Sequence, residues 1–315
     1  MVTNLMSLDQ ARLVNPVLTE VAQGYMKQDL IADILFPRVM SRARAGQIIQ
    51  FGKESFKLYN TLRAPGEAIA RINVGYAGIP FKLEQHALGV GVPIEHQEEA
   101  QEVLSLDLFD ENLTAVTDAV RLGIENEAAV LATTAANYSA SNKVTLSGTS
   151  QWSDSTNGIS DPFKDIADAR EQVRSLMGVR PNVAVIGPKV LVALQKHPKI
   201  LDRLKYTSSQ IPTMEDLARL FQLSRIVSGE AVTANDADVF SDVWGKFVVL
   251  AYSAIGSRSR KQPSYGYNYE LKGSPVVTSP EFNRKTRTFE GEFIYEHGLQ
   301  IVGKDAGFLI TNAVA

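Results

Sequence analysis

The residues best suited to acid–base or metal chemistry in this 315-residue chain are four histidines and many carboxylates. None of the histidines stands in a His-x-x-x-His or His-Glu-x-x-His arrangement, the spacing that places two metal ligands on one face of a helix. The segment Glu95-His96 with Glu98 and Glu99 is better explained as the solvated face of a helix than as a ligand cluster. We therefore predict no metal-binding residue. The histidines are His86, His96, His197 and His297.

Other signatures of catalysis are missing or incomplete in the sequence. The chain has no cysteine, which excludes thiol nucleophiles, disulfides and thiolate metal sites. It contains neither a Gly-x-Ser-x-Gly nucleophile elbow nor a Walker phosphate loop. Residues 89–93 resemble half of a dinucleotide fingerprint, but the third glycine is lacking and Pro93 stands where the phosphate-binding helix should begin. We predict no catalytic residue and no cofactor, and a soluble α/β enzyme is the least favoured alternative.

Composition and charge exclude further classes of protein. A hydrophobic fraction of 44% suits a chain with a folded core, and a formal net charge of −3 argues against a strongly basic nucleic-acid-binding protein. No apolar stretch approaches the ~20 residues of a membrane-spanning helix, and we expect neither a secretory signal nor a membrane partner. A basic, aromatic segment at 257–269 could bind single-stranded nucleic acid, but a loop at a domain edge explains it better.

The charges are segregated along the chain. Residues 38–82 carry eight basic and two acidic side chains, whereas residues 83–127 carry eleven acidic and one basic. The basic part alternates apolar with polar residues and contains the turn sequence Ala64-Pro65-Gly66, which predicts a long two-stranded excursion. A lone hairpin is only marginally stable in water. It could lie on the acidic helix of its own chain or on that of a neighbouring copy, and a contact between copies would build rings or lattices.

Helical periodicity predicts a long helix in the acidic part, between residues 93 and 137, with Ser105 as its N-cap. A helix of about 30 residues would be ~45 Å long and would serve as a structural spine. Residues 138–162 are predicted to be a loop or small hairpin, 163–275 an α/β domain and 276–315 strands. In the α/β part we expect Pro162 in the first turn of a helix that ends before Gly178, buried strands at Val183–Ile186 and Phe247–Tyr252, and a capping box of Thr213 with Asp216. In the last part, Phe293 and Tyr295 alternate with Glu292 and Ile294, which predicts a strand.

Five short motifs follow one another along the chain. They are Asn60-Thr61-Leu62-Arg63-Ala64-Pro65-Gly66, Ile124-Glu125-Asn126-Glu127, Arg180-Pro181-Asn182-Val183-Ala184-Val185-Ile186-Gly187 leading into Pro188–Pro198, Leu217-Ala218-Arg219-Leu220-Phe221-Gln222-Leu223, and Val243-Trp244-Gly245-Lys246. Each is weak alone, but the ordered set is specific. With the order of elements it resembles the major capsid proteins of tailed bacteriophages, whose fold is shared by encapsulin shells. The resemblance covers most of the chain.

The resemblance implies an α+β chain with the phage major capsid (Johnson-type) fold. The divisions that it implies are an N-terminal arm (1–39), an extended β-hairpin loop (40–92), a peripheral domain with a long spine helix (93–178), an axial α/β domain (179–275) and return strands of the peripheral domain (276–315).

The function that the resemblance implies is structural, without enzymatic activity. The chain would assemble with itself into pentamers and hexamers of an icosahedral shell around packaged double-stranded DNA, which it would contact weakly and non-specifically. Only about forty residues precede the extended loop, so a separate scaffolding protein is expected, together with a portal and, as an option, a decoration protein. The chain would reside in the virion after assembly in the host cytoplasm. An encapsulin-like cargo compartment is the main alternative.

Eight charged residues are predicted to lie at contacts between subunits. Exposed charge pairs contribute only about 0.2–1 kcal/mol each, so they would set the register of docking while apolar residues supply most of the contact energy. Some relatives crosslink a loop lysine to an asparagine of a neighbour, and Lys53 and Lys57 are candidates for this by location alone. The eight residues are Lys53, Lys57, Arg63, Arg71, Glu98, Glu99, Glu102 and Asp107.

Overall fold

The computed structural model of the chain describes residues 30–50, 58, 62, 77–104, 107–154, 158–204, 211–237, 239–254 and 264–315. Most of the predicted arm and hairpin, and part of the basic aromatic segment, therefore lie outside the described residues. The helices are α1 (Ala32–Leu35), α2 (Ile94–Leu104), α3 (Leu108–Thr133), α4 (Pro162–Met177), α5 (Pro188–Lys196), α6 (Pro198–Leu204) and α7 (Met214–Leu220).

The described strands form two large sheets and two hairpins. They are β1 (Arg38–Ser41), β2 (Ala45–Gln50), β3 (Ala77–Lys82), β4 (Glu84–Pro93), β5 (Lys143–Thr145), β6 (Val183–Ile186), β7 (Arg225–Ser228), β8 (Val232–Ala234), β9 (Phe240–Asp242), β10 (Val248–Ala251), β11 (Gly266–Leu271), β12 (Val276–Val277), β13 (Glu281–Asn283), β14 (Thr288–Ile301) and β15 (Gly307–Thr311).

The first sheet is organised around the 14-residue strand β14. Strands β4, β11, β12 and β13 all pair with β14 in antiparallel fashion, and β1 pairs in parallel with β11. The predicted alternation in β14 is confirmed, because Phe293 and Tyr295 are buried on one face against α3. Phe109 and Leu113 of α3 complete this core.

Helix α3 is the predicted spine, but its predicted extent is wrong. The acidic stretch holds two helices, α2 and α3, because Asp107 has extended backbone angles and its carboxylate accepts hydrogen bonds from the backbone N–H groups of Phe109 and Asp110. Asp107, not Ser105, is the N-cap. The helix is 26 residues long. Its first half packs on the first sheet, and its last turns, through Ala128 and Ala132, pack under the second.

The second sheet has the strand order β5-β15-β10-β6-β7 and is covered on both faces. Helices α4 to α7 bury one face, and α1 with the end of α3 buries the other. Strand β5 and two short 3₁₀ helices, Ala140–Asn142 and Gly148–Ser150, are described in the segment predicted to be a loop or hairpin, which corrects that prediction. Three residues are too few to show an alternating pattern. Trp152 of the same segment is 1% exposed, and its Nε1 donates to Asp165.

The signals for helix ends and buried strands in the α/β part are confirmed, but the loop predicted at 257–269 is wrong at its end, because Tyr267 and Tyr269 lie on β11 and are buried with Ile48 and Phe81. Pro162 is the first residue of α4, and Gly178 ends that helix in the left-handed conformation with φ of 70°. Strands β6 and β10 coincide with the predicted buried runs. No helix in the described part of the chain is long and apolar enough to cross a membrane.

Candidate assembly surface

The predicted contact residues are only partly described by the structure. Lys53, Lys57, Arg63 and Arg71 lie outside the described residues, as does the side chain of Glu102. Glu98 and Glu99 are exposed on α2. Asp107 is exposed and caps α3 while also accepting a hydrogen bond from Gln97 Nε2 at 3.0 Å.

The base of the predicted hairpin is well anchored. Strands β2 and β3 pair in antiparallel register from Ala45 opposite Lys82 to Gln50 opposite Ala77. Ile48 and Phe81 are buried at this base, and the Phe81 ring stacks on Tyr269 of the first sheet at 5.0 Å. The base of the hairpin, β2 with β3, is thus fixed on the first sheet.

A bidentate ion pair fixes the entry to the hairpin. Arg44, just before β2, donates to both carboxylate oxygens of Glu296 on β14, at 2.6 and 2.8 Å. This carboxylate raises the pKa of the Arg44 guanidinium. Arg38 pairs in the same way with Asp33, at 2.8 and 2.7 Å. Arg38 and Arg44 therefore pair with carboxylates that lie outside α2.

Two leucines of the excursion are exposed to solvent. Leu58 is 103% exposed and Leu62 is 91% exposed. Complete burial of one leucine is worth about 1.5–3 kcal/mol, so these two side chains favour contact with a further surface. On the acidic side, Glu98 and Glu99 form no salt bridge with any described residue, whereas Glu95 pairs with Arg287 at 3.5 Å.

Negative charge accumulates at the corner between α2 and α3. Burial, together with the negative charges of Asp107 and Glu111, raises the pKa of Asp110. An acidic corner of this kind attracts basic side chains from another surface.

In the second half of α3, a buried carboxylate joins three parts of the chain. Glu125 of α3 is 1% exposed and accepts hydrogen bonds from the backbone N–H groups of Ile31 and Ala32 and from Trp244 Nε1, the last at 2.6 Å. Burial raises the pKa of the Glu125 carboxyl, and these hydrogen bonds act in the opposite direction. The carboxylate thereby ties the end of the N-terminal segment to the spine helix and to the second sheet.

The motif that contains Glu125 therefore contacts the motif that contains Trp244. The motif that ends at Gly187 contacts the second of these through Gly245. A Cβ atom on Gly187 would lie 1.7 Å from the carbonyl oxygen of Gly245, so only glycine fits there. Sequence reasoning quoted these motifs but did not find the contacts between them. The available signal was a carboxylate on the apolar stripe of a helix, which requires buried donors.

The family model for phage major capsid protein E matches residues 126–247, a stretch that contains Gly187, Trp244 and Gly245. The major capsid protein of Burkholderia phage BcepMu is 36% identical over 310 residues, which are 97% of this chain and 98% of that protein. The chain belongs to the phage major capsid proteins. The predicted family is thus confirmed.

Solved structures agree with this assignment of the capsid protein. A phage-related protein from Bordetella bronchiseptica RB50 superposes with a TM-score of 0.82 at 36% identity, covering 96% of this chain and 99% of that one. The capsid of cyanophage P-SCSP1u shares the fold with a TM-score of 0.61 at 10% identity, covering 91% and 89%. An encapsulin from Synechococcus elongatus PCC 7942 does so with 0.53 at 12%, covering 95% of both chains. The Johnson-type fold is confirmed.

The capsid protein is therefore a structural component of a phage shell and belongs to the virion. An encapsulin-like compartment is not favoured, because the encapsulin likeness is confined to the fold, whereas the phage capsid relative matches in sequence over almost the whole chain.

Proposed function

We propose that this capsid protein assembles into pentamers and hexamers of an icosahedral shell that encloses double-stranded DNA, and that residues 40–92 reach across a neighbouring subunit. The observation that carries the proposal is the anchored hairpin base from which fully exposed leucines extend. A two-stranded hairpin of this kind (the ribbon, residues 51–76 with their base β2 and β3) is stabilised by packing on another surface. Contact between two different patches of identical chains propagates into rings and closed shells.

The two sheets suggest how the chain is divided. We assign the first sheet and α3 to the peripheral domain and the second sheet to the axial domain, following the divisions 93–178 with 276–315, and 179–275. Strand β14 supports the return of the chain to the peripheral domain, since it pairs with β4. Strand β5, helix α4 and strand β15 pair or pack with the second sheet, so the axial unit includes them in this proposal. Strand β11, although it lies within 179–275, pairs with β14 and is assigned to the peripheral unit.

Docking of the hairpin uses the segregated charges. In the proposed contact Lys53, Lys57, Arg63 and Arg71 of one subunit approach the acidic corner of the next, where Glu98 and Glu99 are free of salt bridges among the described residues. Glu102 and Asp107 add to the acidic field. The leucines of the ribbon contribute most of the energy, and the charges select the register.

The remaining partners follow from the same role. We propose a separate scaffolding protein, a portal and an optional decoration protein as partners, with assembly in the host cytoplasm. A net charge of −3 supports weak, non-specific contact with packaged DNA, because the 32 basic residues that could neutralise phosphates are outnumbered by 35 acidic residues. Efficient formation of uniform shells from this chain alone would contradict the scaffolding proposal.

A charge swap tests the docking. Reversal of the acidic side, E98K/E99K/E102K, is expected to leave the subunit folded by circular dichroism and to abolish shells in negative-stain images. Reversal of the basic side, K53E/K57E/R63E/R71E, is expected to do the same. The combined variant carries both reversals and serves as the matched control for altered charge, and it is expected to recover assembly. Normal shells from either single reversal, or no recovery in the combined variant, would contradict the proposed pairing.

A further inference from the structure

Three side chains that are far apart in the sequence meet where β4, β14 and α3 converge. One ring nitrogen of His86, one of His297 and a carboxylate oxygen of Glu127 lie within 4.8 Å of one another. Glu127 Oε1 is 3.8 Å from His86 Nε2, and its Oε2 is 4.0 Å from His297 Nε2. The two imidazole rings are stacked, with 4.6 Å between their centres and 29° between their planes.

The strand register explains this meeting. In the antiparallel ladder of β4 and β14, His86 lies opposite Tyr295 and Glu84 lies opposite His297. Because side chains alternate between faces, His86 and His297 are diagonal neighbours on one face of the sheet. Helix α3 crosses that face and brings Glu127 to the pair. Glu84, opposite His297 on β4, places a second carboxylate at the edge of the same cleft.

The environment of His297 is unusual for a histidine that has only a structural role. It is 1% exposed, and neither of its ring nitrogens has a hydrogen-bond partner among the described residues. Buried polar groups are nearly always hydrogen-bonded or bound to an ion. A bound ion would supply the partner that these buried nitrogens lack in the described part of the chain.

We propose that His86, His297 and Glu127 bind one divalent transition-metal ion, with zinc the best match. Two imidazoles and one carboxylate are a ligand set that zinc accepts, with bonds of about 2.0–2.2 Å. Ligand atoms of a tetrahedral site then lie roughly 3.4 Å apart, so the separations of 3.8 and 4.0 Å close by small side-chain rotations. The fourth position faces a cleft of about 520 Å³ that also borders Glu84 and Phe81.

The ion would lock the base of the hairpin. Strand β4 follows β3 after a single residue, and the cleft is bordered by residues of β3, β4, α3 and β14. A metal bridging β4, β14 and α3 would therefore fix the direction in which the ribbon leaves the subunit. Since the ligands come from residues 86, 127 and 297, the spacing rules for helical metal motifs could not reveal the site.

The test uses the untagged full chain as dissociated subunits, because a histidine tag would bind the metal itself. Subunits are stripped with EDTA, incubated with zinc chloride, dialysed and analysed for metal by mass spectrometry. We expect one zinc per chain, and with cobalt chloride the visible absorption of tetrahedral Co²⁺. Replacing a ligand in H86N or E127Q is expected to weaken binding by more than about tenfold.

His96 provides the matched control, because it is exposed on α2 and outside the cluster, so H96N should bind zinc like the wild type. Both test substitutions are at partly exposed side chains, at 30% and 46%, and should not unfold the subunit. Failure of the wild type to retain zinc and to give the cobalt spectrum would overturn the proposal. Equal binding by H86N, E127Q and H96N would overturn it as well.

Discussion

Replacement of Glu125 by alanine is expected to be among the most destabilising single changes on the spine helix. The carboxylate accepts hydrogen bonds from three donors: Ile31 N–H, Ala32 N–H and Trp244 Nε1–H. All three belong to buried residues, so alanine leaves three donors without an acceptor. The change also disconnects the N-terminal segment from the spine helix and the second sheet.

The size of the effect follows from that count. An unsatisfied buried donor costs about 1–3 kcal/mol. Three of them would cost up to roughly 9 kcal/mol, but relief of the cost of burying a carboxylate and entry of water reduce the loss, so we expect about 3–6 kcal/mol. Against a typical total stability of about 5–15 kcal/mol this is a large fraction. Glu125→Gln keeps one acceptor for Trp244 but turns an amide NH₂ toward the backbone donors, so an intermediate loss is expected.

Urea unfolding of dissociated subunits measures this loss. Trp244 is one of two tryptophans, and its indole N–H loses its partner, so intrinsic fluorescence reports the local change as well as global unfolding. Glu111→Ala is the matched control, since this exposed carboxylate lies on the same helix and should cost no more than about 1 kcal/mol through the helix dipole. Glu125→Ala and Glu111→Ala variants of equal stability would refute the reasoning.

Three further predictions concern other parts of the subunit. Gly187→Ala should destabilise the subunit by about 3 kcal/mol or more, because the new methyl group would collide with the Gly245 carbonyl. Gly123→Ala should instead stabilise the spine helix by about 0.5–1 kcal/mol, because the new Cβ meets no neighbouring atom within 4 Å. Denaturant unfolding of both variants checks the two signs. Phe240→Ser, at a side chain 72% exposed on the β8–β9 hairpin, should leave unfolding unchanged but reduce capsomer formation in size-exclusion chromatography if this hairpin lies at a subunit contact. Burial lowers the pKa of His197 below its usual 6.5, so the unfolded chain takes up the proton first as the pH falls. The free energy of unfolding should therefore decrease below about pH 6.5. His197→Gln should reduce the dependence of that free energy on pH by up to about 1.4 kcal/mol per pH unit, measured by urea unfolding between about pH 5 and 7.

Sequence reasoning succeeded where a local pattern has a local cause. The left-handed Gly178 after α4 and the capping box of Thr213 with Asp216 are decided by neighbouring residues, and both occur as the sequence indicates. The stripe of α3 was also readable, because the helical period repeats over many turns. The N-cap was misplaced by two residues, since serine and aspartate are equally good caps and only the backbone path distinguishes them.

Contacts between distant segments could not be predicted in the same way. Nothing near Glu125 indicates that Trp244 will donate to it, and the meeting of His86 with His297 depends on the register of a ladder closed across some two hundred residues. The three-residue strand β5 is too short for a periodic signal, and it is positioned by its pairing with β15. The order of domains was predicted from the family resemblance. The contacts of Glu125 and the meeting of His86 with His297 became known only from the folded structure.

The most direct test of the account is a cryo-EM reconstruction of particles assembled from the purified chain with its scaffolding protein. The account predicts a lattice of pentamers and hexamers in which residues 51–76 of each subunit lie across α2 of a neighbour, with basic side chains of the ribbon within salt-bridge distance of Glu98 and Glu99. Density for residues 51–76 folded back onto their own subunit, in the particle or in the absence of any lattice, would contradict it.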